Sequence, residues 1–120
     1  MLFKLGSSTE GALAQLYGAG GTYEGDWFDG KWHGLGSFSA VNGDVYLGEF
    51  SRGLREGNGI MEYADGGLYK GLWRRDVQEG NGTMYYSGDD IYEGEWENGY
   101  KHGWGLLWTH DGTLYEVCLK

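Results

Sequence analysis

The sequence predicts an all-β chain built as a linear array of antiparallel hairpins, and three observations carry that prediction. Tyrosine recurs at Tyr23, Tyr46, Tyr69, Tyr92 and Tyr115, a spacing of 23 residues with no insertion or deletion. A fixed period of this size marks a stacked repeat architecture. Within each copy aromatic and glycine residues alternate with polar ones, the period of a strand with one apolar face. Glycine supplies 25 of the 120 residues and proline none. Combined with so many aromatic side chains, whose burial offsets ordering entropy, that glycine content belongs to strands and turns rather than to a linker.

Residues 1–10 do not match the repeat, and Ser7, Ser8 and Thr9 suggest a frayed lead-in. Residues 11–22 read as half a copy, with Tyr17 standing where Tyr63 and Tyr86 stand later. Full copies occupy 23–45, 46–68, 69–91 and 92–114, and a half copy occupies 115–120. In each copy position 1 is tyrosine, position 3 is Gly25, Gly48, Gly71 or Gly94, and position 5 is Trp27, Phe50, Trp73 or Trp96. That stretch is the first strand. Glycines at positions 12 and 14 precede an apolar residue at position 16, which is Phe38, Met61, Met84 or Leu107. That is the second strand. Six polar, glycine-containing residues such as FDGKWH are expected to connect the two, and three-residue turns such as VNG, ADG and HDG to lead into the next copy.

Size complementarity suggests a register in which position 5 faces position 14 and position 3 faces position 16, so that Gly36 lies between Trp27 and Phe50. Equivalent residues of successive copies then sit roughly 10 Å apart on one face, as a ladder of rings. The third copy departs twice: Asp76 stands where other copies have Gly30, Gly53 and Gly99, and in SGDD the turn glycine, Gly88, comes one position early. Aspartate holds a left-handed turn at modest cost, so pairing is expected to survive with a locally altered turn.

A formal net charge of −9 opposes nucleic acid and gives no general attraction to an anionic membrane. The single Cys118 cannot form an internal disulfide, which agrees with a reducing compartment, and a cytoplasmic location is the expectation. No apolar run approaches the ~20 residues that span a bilayer, so a soluble chain is expected. His33 and His102 share a repeat position, but three copies separate them, roughly 30 Å, which is too far for one metal. They and His110 read as polar turn residues. Glu24 with Asp26, and Glu93 with Glu95, place two carboxylates about 7 Å apart on one strand face, a separation glycosidases use. A flat sheet gives them no desolvated pocket, so they read as solvated surface. The Gly-x-Gly of positions 12 and 14 opens a strand rather than a helix and is no dinucleotide motif. Cys118 reads as a small buried apolar residue. No catalytic residue, metal or cofactor is expected.

Two apolar surfaces stand out. Packing accounts for most of the ring ladder formed by Tyr23, Trp27, Tyr46, Phe50, Tyr69, Trp73, Tyr92 and Trp96, yet a single layer should leave one side partly open, as a groove for a helical or extended partner segment. Positions 13, 15 and 17 point away from the ladder, and in the fourth copy they are Trp104, Leu106 and Trp108. Such residues on a solvent face imply burial against something: a C-terminal protein interface, by self-association or with a partner, or a covering helix outside these 120 residues. The last strand, with only Glu116 and Lys120 as charges, is an open edge. Arg52, Arg55, Arg74, Arg75 and Lys101 cluster in the hairpin loops as candidate lipid contacts, but Asp29, Glu56, Asp76, Glu79 and Glu97 share those loops, and polybasic recognition needs unopposed charge.

The motif Tyr-x-Gly-x-Trp, a loop, then His/Glu-Gly-x-Gly resembles the MORN (membrane occupation and recognition nexus) repeat over about residues 11–120. The stretch from Tyr92 to Gly105 is close to a consensus copy. The resemblance implies one long, twisted, groove-shaped single-layer sheet. It also implies a non-enzymatic scaffold that grips protein segments or dimerises, often at cytoskeleton or cell cortex, with phosphoinositide binding as the alternative. Carbohydrate stacking on the tryptophan rows is a third, weaker reading.

Overall fold

Two residues, not six, turn each hairpin. Asp29 and Gly30, Arg52 and Gly53, Arg75 and Asp76, and Asn98 and Gly99 all have positive φ. Consecutive positive φ values make a type I′ turn, whose twist matches that of the strands it joins. The strands therefore run on through the stretch expected to be a loop, and Trp32 lies inside a strand with 3% of its surface exposed. The structure, a computed structural model, describes residues 4–8 and 21–119. Ten strands follow in chain order: β1 (Lys4–Ser8), β2 (Gly21–Phe28), β3 (Lys31–Ser39), β4 (Val45–Ser51), β5 (Leu54–Glu62), β6 (Leu68–Arg74), β7 (Val77–Tyr85), β8 (Ile91–Glu97), β9 (Tyr100–Trp108) and β10 (Leu114–Leu119). Each pairs antiparallel with its chain neighbour in one open sheet. The fold is all-β, as expected. The lead-in contributes β1, paired with β2, whereas the strand expected at 11–20 falls outside the described residues.

The return turns are as read from the sequence. Ala40 N–H donates to the Asp44 carbonyl at 2.8 Å, leaving Val41, Asn42 and Gly43 as the loop, and the same bond closes the other three turns. The third copy is not altered: Tyr86 N–H bonds the Asp90 carbonyl at 2.8 Å, and Asp89 rather than Gly88 takes the left-handed place, at φ 73°. Turns also stack on turns. Gly53, Asp76 and Gly99 each donate a backbone N–H to the carbonyl of Trp32, Arg55 or Gln78 in the copy before.

The register differs from the expected one by two residues. Tyr23 faces Phe38, Gly25 faces Gly36, and after a bulge Trp27 faces Trp32; the same pattern recurs in every hairpin. The two extra residues sit in the second strand around Gly34, Gly57, Gly80 and Gly103, whose φ values of +79°, +81°, +90° and +61° explain why position 12 is glycine. Glycine therefore faces glycine, and the space so made belongs to the tyrosine of the same copy, not to the tryptophans. A side chain at Gly36 would meet the Tyr23 ring 2.5 Å away. Held there, Tyr23, Tyr46, Tyr69 and Tyr92 donate their hydroxyls to the carbonyls of Asp26, Glu49, Leu72 and Glu95, three residues along.

Tyr23, Tyr46 and Tyr69 are wedged between aromatic neighbours from two copies, and Tyr92 rests on Trp96 of its own. Tyr46 meets Phe50 at 5.0 Å and Trp73 at 5.4 Å; Tyr69 meets Trp73 and Trp96, both at 5.2 Å. All four contacts are edge-to-face, the arrangement aromatic quadrupoles favour, worth about 0.5–1.5 kcal/mol per pair beyond burial. Burial pushes the Tyr23 hydroxyl up to about 12, with the Asp26 charge as second cause, and raises Tyr46, Tyr69 and Tyr92 for the same first reason. An unfolded tyrosine ionises near 10. Between that value and the folded one only the unfolded chain loses protons, so stability is fully present below about pH 10 and falls as pH rises above it. Absorbance at 295 nm should therefore show the buried tyrosines ionising together with the loss of β circular dichroism. Ionisation of all ten tyrosines near pH 10 in a chain that stays folded would contradict this.

Candidate interaction surface

The rings expected to line a partner groove are not available to one. Tyr23, Tyr46, Phe50, Tyr69, Trp73, Tyr92 and Trp96 are 0–6% exposed, and only Trp27 is half-buried. They cover one another, and the register adds Trp32, Phe38 and Met61 to the same cluster. The remaining space on that face is occupied by residues of position 10, where Arg55 is 2% exposed. Its guanidinium lies 4.4 Å from the Trp73 ring and bonds Asp76 through Nε at 3.2 Å to the carboxylate and through NH2 at 2.7 Å to the carbonyl. Asp76, the departure from glycine in the third copy, is thus the counter-charge of a buried arginine one copy earlier. Arg55 offers no charge to a lipid. Lys101 lies 5.3 Å and 5.5 Å from the Tyr86 and Tyr92 rings yet is exposed, as are Arg52, Arg74 and Arg75 along the turn edge.

The opposite face carries positions 2, 4, 13, 15 and 17. Position 4 secures the bulge: Asp26, Glu49 and Glu95 accept the backbone N–H of Leu35, Asn58 and Trp104 at 3.3, 2.6 and 2.8 Å. In the third copy Leu72 packs on Gly80 instead. Of the carboxylate pairs read as solvated surface, Asp26 and Glu95 therefore have a structural task, while Glu24 and Glu93 are exposed. The histidines sit in turn contacts. His33 accepts the Arg52 N–H at 3.5 Å, His102 lies 3.3 Å from Glu97 and His110 3.4 Å from Asp90.

Trp104 is 64% exposed on this outer face, with Leu106 and Trp108 half-buried beside it. Trp108 pairs with Ile91 on one side and Leu114 on the other. Gly82, Gly94 and Gly105, whose side chains would point to the ring face, turn bare backbone outward and floor an open trough of about 680 Å³ between two rows of outward side chains. Its walls are Lys70, Thr83, Glu93, Leu106 and Glu116 on one side and Asn81 and Trp104 on the other. The sequence pointed to Trp104, Leu106 and Trp108 but not to the trough. The paired glycines do not signal it, because the space they make lies on the ring face.

The edge strand differs from its equivalents. Tyr115 is 52% exposed against 0–1% for the four tyrosines before it. Val117 replaces the position-3 glycine and faces Gly105. Cys118, expected to be buried, is exposed because it stands at position 4, on the outer face opposite Trp104.

No curated protein matches the chain. The family model for the MORN repeat matches residues 23–45, 46–68, 69–90 and 92–114, the same four copies that fold here as tyrosine-wedged hairpins, so the chain belongs to the MORN repeat family.

Proposed function

We propose that this array is a non-enzymatic protein-interaction scaffold whose contact surface is the outer face of its C-terminal hairpins, centred on Trp104, Leu106 and Trp108. MORN repeats generally mediate contacts with proteins or membranes. The observation that carries the protein reading is Trp104, two-thirds exposed at the rim of a trough, since tryptophan is among the residues enriched where protein interfaces concentrate their binding energy. The membrane reading has less support. With Arg55 buried, the exposed Arg52, Arg74, Arg75 and Lys101 share their edge with Glu56 and Glu79, whose carboxylates accept the backbone N–H groups of Arg75 and Asn98 at 3.4 and 3.1 Å.

Peptides selected from a random display library against the wild-type array test the reading. They are expected to bind the Trp104→Ser/Trp108→Ser variant at least tenfold more weakly and the Arg74→Glu/Arg75→Glu variant unchanged. Selected peptides indifferent to the tryptophan variant would overturn it. So would co-sedimentation with phosphoinositide vesicles that the arginine variant abolishes, whereas light scattering that finds a wild-type dimer and a monomeric tryptophan variant would support it, with a second copy of the chain as the partner.

A further inference from the structure

The trough on the outer face has a shape and a charge that narrow what it takes. Its floor follows the glycines of β7, β8 and β9, and its wall reaches from Lys70 on β6 to Glu116 on β10, so it runs perpendicular to the strands for four interstrand spacings, roughly 19 Å. That length holds about six extended residues. Its walls are side chains two residues apart along each strand, about 7 Å from one another. A helix, at about 10–12 Å across with side chains, is too wide.

Charge is uneven along this length. Lys70 stands at the β6 end, whereas at the β10 end Leu106 lies between Glu93 and Glu116, each paired directly across from it. Both glutamates are exposed. They stand about 10 Å apart, so a cation over Leu106 lies within about 5 Å of either carboxylate. Trp104 is two residues along the same strand on the same face, in position to receive that cation on its ring. The chain as a whole carries a net charge of −9, which steers positive partners toward it and acidic ones away.

Resting on the reading of this face as an interaction surface, the geometry points to an extended basic peptide segment as its occupant, lying across β6 to β10 with one arginine or lysine over Leu106 between Glu93 and Glu116 and against Trp104. Arginine fits better than lysine, because its planar guanidinium stacks on an indole while donating sideways to two carboxylates.

A titration followed by backbone and indole N–H resonances separates the outcomes, using three capped hexapeptides: alternating valine and arginine, valine and glutamate, and valine and glutamine. The arginine peptide is expected to shift the Trp104 indole and the amides of Gly82, Gly94 and Gly105. Its affinity should fall about tenfold in Glu93→Gln/Glu116→Gln and again with added salt. These substitutions are on exposed side chains, so the spectrum of the rest of the chain reports an intact fold. Equal binding of the glutamate or glutamine peptide at these residues would overturn the basic occupant while leaving the surface standing. Shifts by every peptide confined to the turn edge or the ring face would overturn both. An arginine peptide bound equally well by Glu93→Gln/Glu116→Gln would overturn the placement of the cation.

Discussion

Replacing Asp76 by glycine, the residue its three sister turns carry at Gly30, Gly53 and Gly99, is expected to destabilise the array by roughly 3–5 kcal/mol. By the repeat pattern and by turn chemistry the change is an improvement, since glycine adopts φ near 72° without strain. The tertiary structure reverses the sign. Asp76 accepts both the backbone N–H of Arg55 at 2.7 Å and its Nε at 3.2 Å, and without it a guanidinium 2% exposed keeps its charge and loses its partner. A cation lying 4.4 Å over Trp73 and 5.8 Å over Tyr46 gains about 2 kcal/mol from the rings, but it has that gain with or without Asp76, and the loss of the counter-charge is not offset. Arg55→Gln, which copies Gln78 at the equivalent place, should recover most of the loss when combined with Asp76→Gly, because it removes the charge that needed a partner. Urea unfolding of the two single variants and the double variant gives the comparison. A single Asp76→Gly chain as stable as wild type would show that Arg55 reaches water and that the ion pair is incidental.

Gly71→Ala should cost roughly 3 kcal/mol, far more than the usual glycine-to-alanine change in a strand. A methyl group there would lie 2.5 Å from the Gly82 Cα and 2.7 Å from the Asn81 carbonyl oxygen. Both are backbone, so no rotamer can give way; β6 and β7 must move apart. The Tyr69 ring spans the same glycine pair, and its 2.9 Å hydroxyl bond to Leu72 would be lost with that separation. Gly53→Asn is the control: φ is +84° and nothing lies within 4 Å, so asparagine should change stability by about 0.5 kcal/mol or less. Thermal unfolding of the two variants beside wild type decides it. Equal, small effects would mean that the glycine pairs are conformational conveniences rather than seats for the tyrosines.

Much of this fold was legible because the repeat prints the same local chemistry four times. The 23-residue spacing, the alternation of strands and the three-residue return turns at VNG, ADG and HDG are all local properties, and they appear as read. The hairpin turns were misjudged because Arg52 and Arg75 are poor predictors of a positive φ. They adopt it, at 53° and 48°, because the strands on either side already pair. The register was misjudged by two residues for a related reason. Position 12 glycine marks a bulge, and a bulge shows in the sequence only as one more glycine among many.

At the candidate surface, Trp104, Leu106 and Trp108 could be singled out because four aligned copies show which outward positions are unusual. The exposure of the ring ladder could not be read. Whether eight rings face solvent or one another depends on the register, which sets Tyr46 between Phe50 and Trp73 rather than beside a groove.

By itself, then, the sequence determined the unit, the number of its full copies, the β character and the face of the residues at positions 1 to 5 and 13 to 17, since all of these follow from period and alternation. Only the tertiary structure decided which side closes. Tyrosines seated over paired glycines bring the aromatic face into contact with itself and bury it. On the other face two rows of outward side chains border a hollow, and the pairing of five strands, which no local pattern encodes, aligns those rows and makes the hollow long enough for an extended chain.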